Sequence, residues 1–506
     1  MQTNNIPKGT LQITLTNIIQ YLTMGLFYIV VAKTNALTQT DIGILSILTF
    51  LSSTFLLLTT IALPTALTKF TSERLVKNQE EAASINKTVT KTVLITSLAG
   101  FIIAACLSEY LSQYFWGTAA YTLIIILILI HAFLSNIIAL SNSRLQALYL
   151  FGKMALVTLT FIVISRTIGA VLALLNMGLQ GVVIGYIIGS SIAMTLAIAF
   201  IRGKLPKTNH NAPITPILKF SLPLFFSSLT LLILNWADMV ALNFLTGDYA
   251  LVGIYYIAVN SVAVLSILWT PVTTTIFPAL SAKQGQQKSE DITNILKTSS
   301  RYLIYIVLPS CIFLAVVSQT ALAFFYSTSY TLGAIPLSIL SVTAIIIAIQ
   351  SLLTTTLTAI GKTTAILKIN VILAISTILI LIAIVPFLQI IGAAIARLTT
   401  QIVGIALAFY MLQKEISVKI DKEALWKSTA ASLAIIPPLL ILETTISTKL
   451  SVTQTLIIEI LTAACIYGFS LYILKALKTQ DFELLRQALP KNLAKIINLL
   501  EKVTTR

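Results

Sequence analysis

Charge is scarce in this chain: only 10% of its 506 residues are Asp, Glu, Lys or Arg, against 57% hydrophobic. So few polar groups cannot cover a water-facing surface, which excludes an ordinary soluble globular protein and places the chain in a bilayer. Cysteine is nearly absent. Cys106, Cys311 and Cys465 lie far apart inside apolar segments, so neither a disulfide framework nor a zinc-ligand spacing is supported, and packing roles remain. The only histidines are His131 and His210, and there is no His-Glu-x-x-His, no Gly-x-Ser-x-Gly and no acidic pair of the kind a metal-dependent glycosyltransferase needs. Gly361-Lys362-Thr363 has the tail of a nucleotide-phosphate loop, yet Thr356 stands where the leading glycine belongs, which excludes ATP binding there. The sequence therefore predicts no catalytic residue, no metal and no cofactor.

What the chain does have is a succession of long apolar runs. Fourteen spans are predicted, at about 10–32, 42–66, 89–111, 119–141, 154–176, 179–201, 217–245, 250–280, 302–324, 334–359, 364–387, 390–412, 426–446 and 453–474. The first is too long for a signal-peptide core and lacks a small-residue cleavage site, so it is read as a retained helix. The net charge of +16 is explained by topology. The termini and even-numbered loops hold 29 of the 33 Lys and Arg, the odd-numbered loops only Lys33 and Lys449, and Arg166 and Arg397 lie inside spans. Both termini are thus predicted on the cytoplasmic side of the plasma membrane. No Lys/Arg-rich block interleaved with aromatics appears, so nucleic acid is not expected as a partner. The one sequon, Asn86-Lys87-Thr88, falls on a cytoplasmic loop.

The first twelve spans carry an internal repeat. Gly43 followed by Leu63-Pro64-Thr65-Ala66-Leu67 recurs as Gly253 followed by Phe277-Pro278-Ala279-Leu280; Gly152-Lys153 recurs as Gly361-Lys362, and Leu179-Gln180 as Leu388-Gln389. A register held over four landmarks predicts two six-helix lobes, 1–202 and 217–413, related by an axis along the membrane normal. Two further spans within 424–477 have no counterpart in the repeat. A basic amphipathic helix is predicted over 479–506, with Leu489, Leu493, Ile496, Ile497 and Leu500 on one face, lying on the inner leaflet.

The landmarks Phe220-Ser221-Leu222-Pro223, Trp236-Ala237-Asp238, Val252-Gly253-Ile254-Tyr255, Phe277-Pro278-Ala279-Leu280-Ser281 and Gly392-Ala393-Ala394 have a familiar order. So does Phe482-Glu483-Leu484-Leu485 leading to Leu489-Pro490-Lys491. This order resembles the polysaccharide-transporter branch of the multidrug/oligosaccharidyl-lipid/polysaccharide exporter superfamily, the O-antigen flippase kind. The resemblance implies a flippase that carries the sugar-diphosphate head of a polyprenyl-linked oligosaccharide from the inner to the outer face. The lipid tail would stay among the membrane lipids, and glycosyltransferases of the same pathway are the implied partners.

Ionisable groups inside the bilayer are the strongest site signal, because each costs a few kcal/mol or more and faces a partner or a wet cavity. Arg166 in span five, Arg397 in span twelve and Lys33 closing span one would together suit an anionic headgroup such as a diphosphate. The alternative is that the two arginines neutralise Asp238 or helix C-termini as structural pairs. Ser228, Asn235 and Asp238 share one face of span seven, as cavity wall or as a hydrogen-bonded helix contact. Asn17 and Gln20 in span one and Asn260 in span eight suit sugar hydroxyls and equally suit helix gluing. His131 fits a packed histidine better than a proton relay. Glu443 and Glu459 fall in the added spans, and the sequence relates them to no cavity.

Three rival functions follow from the same residues. A multidrug and toxin exporter of the superfamily would resemble twelve-span proteins with carboxylates in the first lobe, and spans one to six hold no mid-membrane Asp or Glu. A membrane-embedded glycan polymerase or ligase would present a large outer loop with basic residues, and the outer loops here are short. A lipid-binding scaffold would lack transport.

Overall fold

The computed structural model describes residues 6–75, 78–206, 208–286, 289–419, 421–445 and 450–476, with side chains from residue 12 onward save that of Ser289. The amphipathic helix predicted over 479–506 and Lys449 lie outside the described residues. No strand occurs among the described residues. The helices are α1 (Ile6–Lys33), α2 (Gln39–Thr60), α3 (Leu63–Leu75), α4 (Gln79–Cys106), α5 (Ser108–Trp116), α6 (Thr122–Ala147), α7 (Phe151–Leu172), α8 (Gly178–Ile201) and α9 (Ile214–Thr246). They continue with α10 (Tyr249–Ala263), α11 (Thr270–Gly285), α12 (Ser289–Val316), α13 (Ser318–Phe325), α14 (Ala334–Ala359), α15 (Thr363–Gln413), α16 (Lys422–Leu433), α17 (Ile436–Thr445) and α18 (Val452–Ile473).

Among the described residues, twelve helical stretches are long and apolar enough to cross a membrane, and two of them run for 51 residues, Phe151–Ile201 and Thr363–Gln413. A straight helix of that length would span about 76 Å, more than twice the hydrocarbon thickness of roughly 30 Å. Neither is straight. In the first, Asn176 (φ 65°) and Gly178 (φ 51°) turn the chain between α7 and α8. In the second, Gln389 takes φ 45° and ψ −124°, three residues after Pro386. Thr377 Oγ1 donates to Thr400 Oγ1 at 3.3 Å, and these residues lie nearly equidistant from Gln389, so the two limbs of α15 fold back as a hairpin. Span eight, predicted over 250–280, is shorter than its hydropathy suggested. It leaves α-helical geometry after Ala263, and α11 restarts with Pro271 in its first turn, where a missing N–H is harmless.

The chain forms two compact units. The first comprises 1–267 and 363–404. Its tightest pairing is α7 with α8, where small residues let backbones meet: a Cβ added at Gly185 would strike the Gly169 backbone, and one at Gly189 would lie 2.7 Å from Ser165 Cα. Small-residue contacts of this kind hold helices together where water supplies no driving force. A second close crossing joins α2 to α10. A Cβ at Gly43 would lie 3.0 Å from the Gly253 nitrogen and one at Gly253 2.9 Å from the Gly43 nitrogen, so the contact is reciprocal. Polar ties complete the packing: the buried Asn136 amide on α6 donates to Thr59 Oγ1 at 2.8 Å on α2 and to Ser97 Oγ at 2.7 Å on α4.

The second unit comprises 268–362 and 405–506, described to residue 476. In it α12 packs against α14 and α16, and Tyr467 Oη on α18 donates to the Tyr305 carbonyl at 2.8 Å. Val317, Ala321, Ile435, Leu439 and Ala463 form an apolar cluster joining α13, α17 and α18. Ser451 and Gln454 cap α18 reciprocally, with Ser451 N–H donating to Gln454 Oε1 at 3.1 Å.

Candidate functional site

The close approach of α7 and α8 sets Arg166 beside Tyr186, to whose hydroxyl the guanidinium donates. The same guanidinium carbon stands 4.6 Å from the Tyr186 ring centroid, 4.9 Å from that of Phe27 and 5.7 Å from that of Tyr28. Three aromatic faces therefore stabilise this half-buried cation by its attraction to their π electrons. Among the described residues it forms no ion pair with a carboxylate.

From Arg166 a chain of aromatic and hydroxyl contacts leads to a second charged group. Tyr28 Oη donates to Tyr256 Oη at 3.2 Å, their rings meeting edge to face, and Tyr256 stacks on Trp236 with centroids 6.3 Å apart. On the preceding residue of α10, Tyr255 Oη donates to Asp238 Oδ2 at 3.0 Å. Arg397 Nε lies 3.2 Å from that same oxygen, and Asp238 Oδ1 accepts the Met239 N–H at 2.9 Å. Asp238 is thus a buried, fully engaged carboxylate. Because successive residues of a helix point about 100° apart, α10 turns Tyr256 toward the Arg166 side and Tyr255 toward the Arg397 side.

These contacts lie in one layer. Tyr28, Arg166 and Asp238 stand five to eight residues before the ends of α1, α7 and α9, and Tyr186, Tyr256 and Arg397 seven or eight residues after Gly178, Tyr249 and Gln389. At about 1.5 Å per residue, the layer is roughly 8–12 Å in from the helix ends. His131 borders it, with Nδ1 3.3 Å from the Tyr186 carbonyl and from Ser190 Oγ and its ring stacked on Phe161.

The other sequence candidates divide. Asn235 is exposed, and its carbonyl accepts from Arg397 Nη2 at 3.5 Å. Asn260 is buried with its amide spent on the Tyr256 carbonyl at 2.7 Å, which fixes α10 rather than facing open space. Asn17 and Gln20 are half-buried on α1, two to three turns before Tyr28, and among the described residues no hydrogen bond joins them to the layer. Lys33 is exposed in the last turn of α1. The tyrosines at 28, 186, 255 and 256 escaped sequence reasoning. The available signal was a phenol deep in an apolar span, whose hydroxyl needs a partner when buried. On another face of α9 a cavity of about 440 Å³ is lined almost wholly by apolar side chains, among them Phe50, Leu232, Val240, Ile378 and Leu381.

A family model described as polysaccharide biosynthesis protein matches residues 6–284, more than half of the 506-residue chain. The chain belongs to this family. The polysaccharide biosynthesis family was anticipated by the landmarks from Phe220 to Ser281. Solved structures place its fold among relatives. "Lipid II flippase MurJ, inward closed conformation" superposes with a TM-score of 0.76 at 19% identity, covering 91% of this chain and 97% of that one. An inward-facing multidrug resistance MATE family transporter of the MOP superfamily gives 0.61 at 16% identity, over 78% and 95% of the two chains. A MOP superfamily transporter from Pyrococcus furiosus, described as having a binding pocket of reverse polarity, gives 0.54 at 15% identity over 81% and 96%. No curated protein matches the sequence. The polysaccharide biosynthesis family member described here is a multi-pass membrane protein with the fold shared by those flippases and exporters.

Proposed function

We propose that this protein is a flippase for a lipid-linked oligosaccharide, a polyprenyl diphosphate glycan in the sequence reading, and that Arg166 is its principal anion receptor. The observation that carries the proposal is the contrast between the two arginines inside spans. Arg397 is matched by Asp238 at 3.2 Å, whereas Arg166 is surrounded by aromatic rings and a phenol that leave its positive charge uncompensated. A buried charge without a counter-ion is costly, and a transported phosphate supplies one through paired hydrogen bonds from the guanidinium fork. Lys33 at the helix end adds a second cation on the way, and Asn235, Asn17 and Gln20 offer amides to sugar hydroxyls. The apolar cavity beside α9 suits a polyprenyl chain that remains in hydrocarbon.

Counting both limbs of each 51-residue stretch gives fourteen crossings, with the termini cytoplasmic. The lobes 1–202 and 217–413 then rock to expose the cationic cavity to one side at a time. An inside-negative membrane potential favours outward movement of an anion by about 2.3 kcal/mol per charge per 100 mV.

The test replaces Arg166 by Ala and by Lys in cells and follows the lipid-linked glycan. Loss of outer-face glycan with accumulation at the inner face is expected for Arg166→Ala, and partial loss for Arg166→Lys, whose ammonium lacks the planar fork. Normal export in Arg166→Ala would refute the proposal. A second reading, a multidrug exporter, draws on the shared fold of the MATE transporters; drug efflux that falls while glycan export persists in the Arg166 variants would favour it.

A further inference from the structure

The second unit holds a buried acid that the site above does not use. Glu459 on α18 is fully buried. Its Oε1 accepts a single long hydrogen bond, 3.4 Å, from Thr320 Oγ1 on α13, and its Oε2 has no hydrogen-bond partner. Directly over it lies a cavity of about 630 Å³ lined by Thr320, Thr328, Thr331, Glu443, Thr444 and Thr455, among others. Thr320 is both cavity wall and Glu459 donor, and Thr455 precedes Glu459 by one helical turn on the same face, so the carboxyl sits just beneath the cavity floor. The charged form of Glu443 in that wall repels the charged form of Glu459.

Among the described residues, no ion pair or hydrogen bond gives Glu459 a positive partner. Of the elements packed on α18, α13 carries no ionisable residue, α17 carries Glu443, and α16 carries Lys422, Glu423 and Lys427, with Lys427 paired to Glu423 at 2.7 Å. The acid on α18 itself is Glu459, and Tyr467 two turns on is engaged with Tyr305 and Ser428. A buried carboxylate with one weak donor and one bare oxygen has two chemical remedies: a metal cation bound by several oxygens or a proton on Oε2. Among the described residues no group of three or more His, Cys, Asp or Glu side chains surrounds Glu459, so a metal cation would find few charged oxygens there, whereas a proton needs only Oε2 itself.

We infer that Glu459 is a proton-binding site in the added helices, exchanging with the surface through the Glu443-lined cavity. Binding converts the carboxylate to the neutral acid, with the proton on Oε2 and the Thr320 hydrogen bond kept on Oε1. The site belongs to the second unit and Arg166 to the first, and proton binding here does not depend on the cargo. It supplies a point at which a proton gradient can act on the protein.

The test is infrared difference spectroscopy of the full-length protein in lipid nanodiscs during a pH titration. The wild type is expected to show a carboxylic acid C=O band that disappears as pH rises, and Glu459→Gln to lose that band entirely. Thr320→Val, which removes the one donor to Oε1, shifts the frequency of the band without abolishing it, and keeps the test open should Glu459→Gln fold poorly. Glu443→Gln retains the band but exchanges it several-fold more slowly. An unchanged band in Glu459→Gln overturns the inference. So does a wild-type band abolished by sodium chloride at constant pH, which would make the site a metal-cation site.

Discussion

Arg397 and Asp238, 159 positions apart in the chain, share a 3.2 Å contact in the first unit that converts two costly buried charges into one neutral pair. Removing either partner alone strands the other in a low-dielectric layer, at a cost of roughly 3–5 kcal/mol. Asp238→Asn and Arg397→Gln should therefore each lower the unfolding midpoint of the purified protein. The double substitution should recover much of the loss, with a coupling of about 1–3 kcal/mol in a double-mutant cycle. Additive losses would show that the two groups act separately.

Arg166 should behave differently in the same assay. Its three rings share one half-buried cation, so together they contribute about 1–2 kcal/mol. The loss is offset in part by removing an unpaired charge, and no carboxylate is stranded when it goes. Arg166→Gln is thus expected to cost far less stability than Arg397→Gln while costing far more export. Comparing thermal midpoint with glycan export for both variants separates a receptor from a structural pair.

Gly189 offers a control that touches no charged group. Its missing side chain lets α8 lie on Ser165 of α7, and a Cβ there would come within 2.6 Å of the Ser165 nitrogen. Gly189→Leu should push the helices apart and draw Tyr186 off Arg166, costing about 1–3 kcal/mol by overpacking and reducing export with Arg166 still in place. Export equal to wild type in a folded Gly189→Leu protein would argue against a positioning role for Tyr186.

At the turn of the α15 hairpin, Gln389 occupies φ 45° and ψ −124°, a region that side chains with a Cβ rarely enter. Gln389→Gly should stabilise the protein by about 1 kcal/mol, and a β-branched residue such as Val should destabilise it by a similar amount or more. Chemical denaturation of the two variants in parallel checks the sign.

Hydropathy made the spans legible, and even the breaks: the boundaries expected near 176–179 and 387–390 bracket Asn176, Gly178 and Gln389. The membrane imposes this, since each crossing must be apolar along its length and each turn must find polar or glycine-like backbone. Partnership was less legible. Arg397 and Asp238 were recognised as a possible pair, but a sequence carries no distance, and the same two residues fit a cavity equally well. The tyrosine contacts are less legible still, because a tyrosine in an apolar helix serves packing as readily as hydrogen bonding. Tyr28 and Tyr256 meet only through a contact 228 residues long. Sequence alone gives Glu459 no place, because its meaning rests on a buried oxygen without a hydrogen-bond partner.

Gly43 and Gly253, read as equivalent landmarks of the repeat, turn out to press against each other where α2 crosses α10. A contact of bare backbone on bare backbone has no interlocking teeth, so one helix can swivel on the other without side chains having to disengage. A bearing of this kind tolerates no added atom: a methyl group gained on either face runs into the opposing backbone and jams the joint.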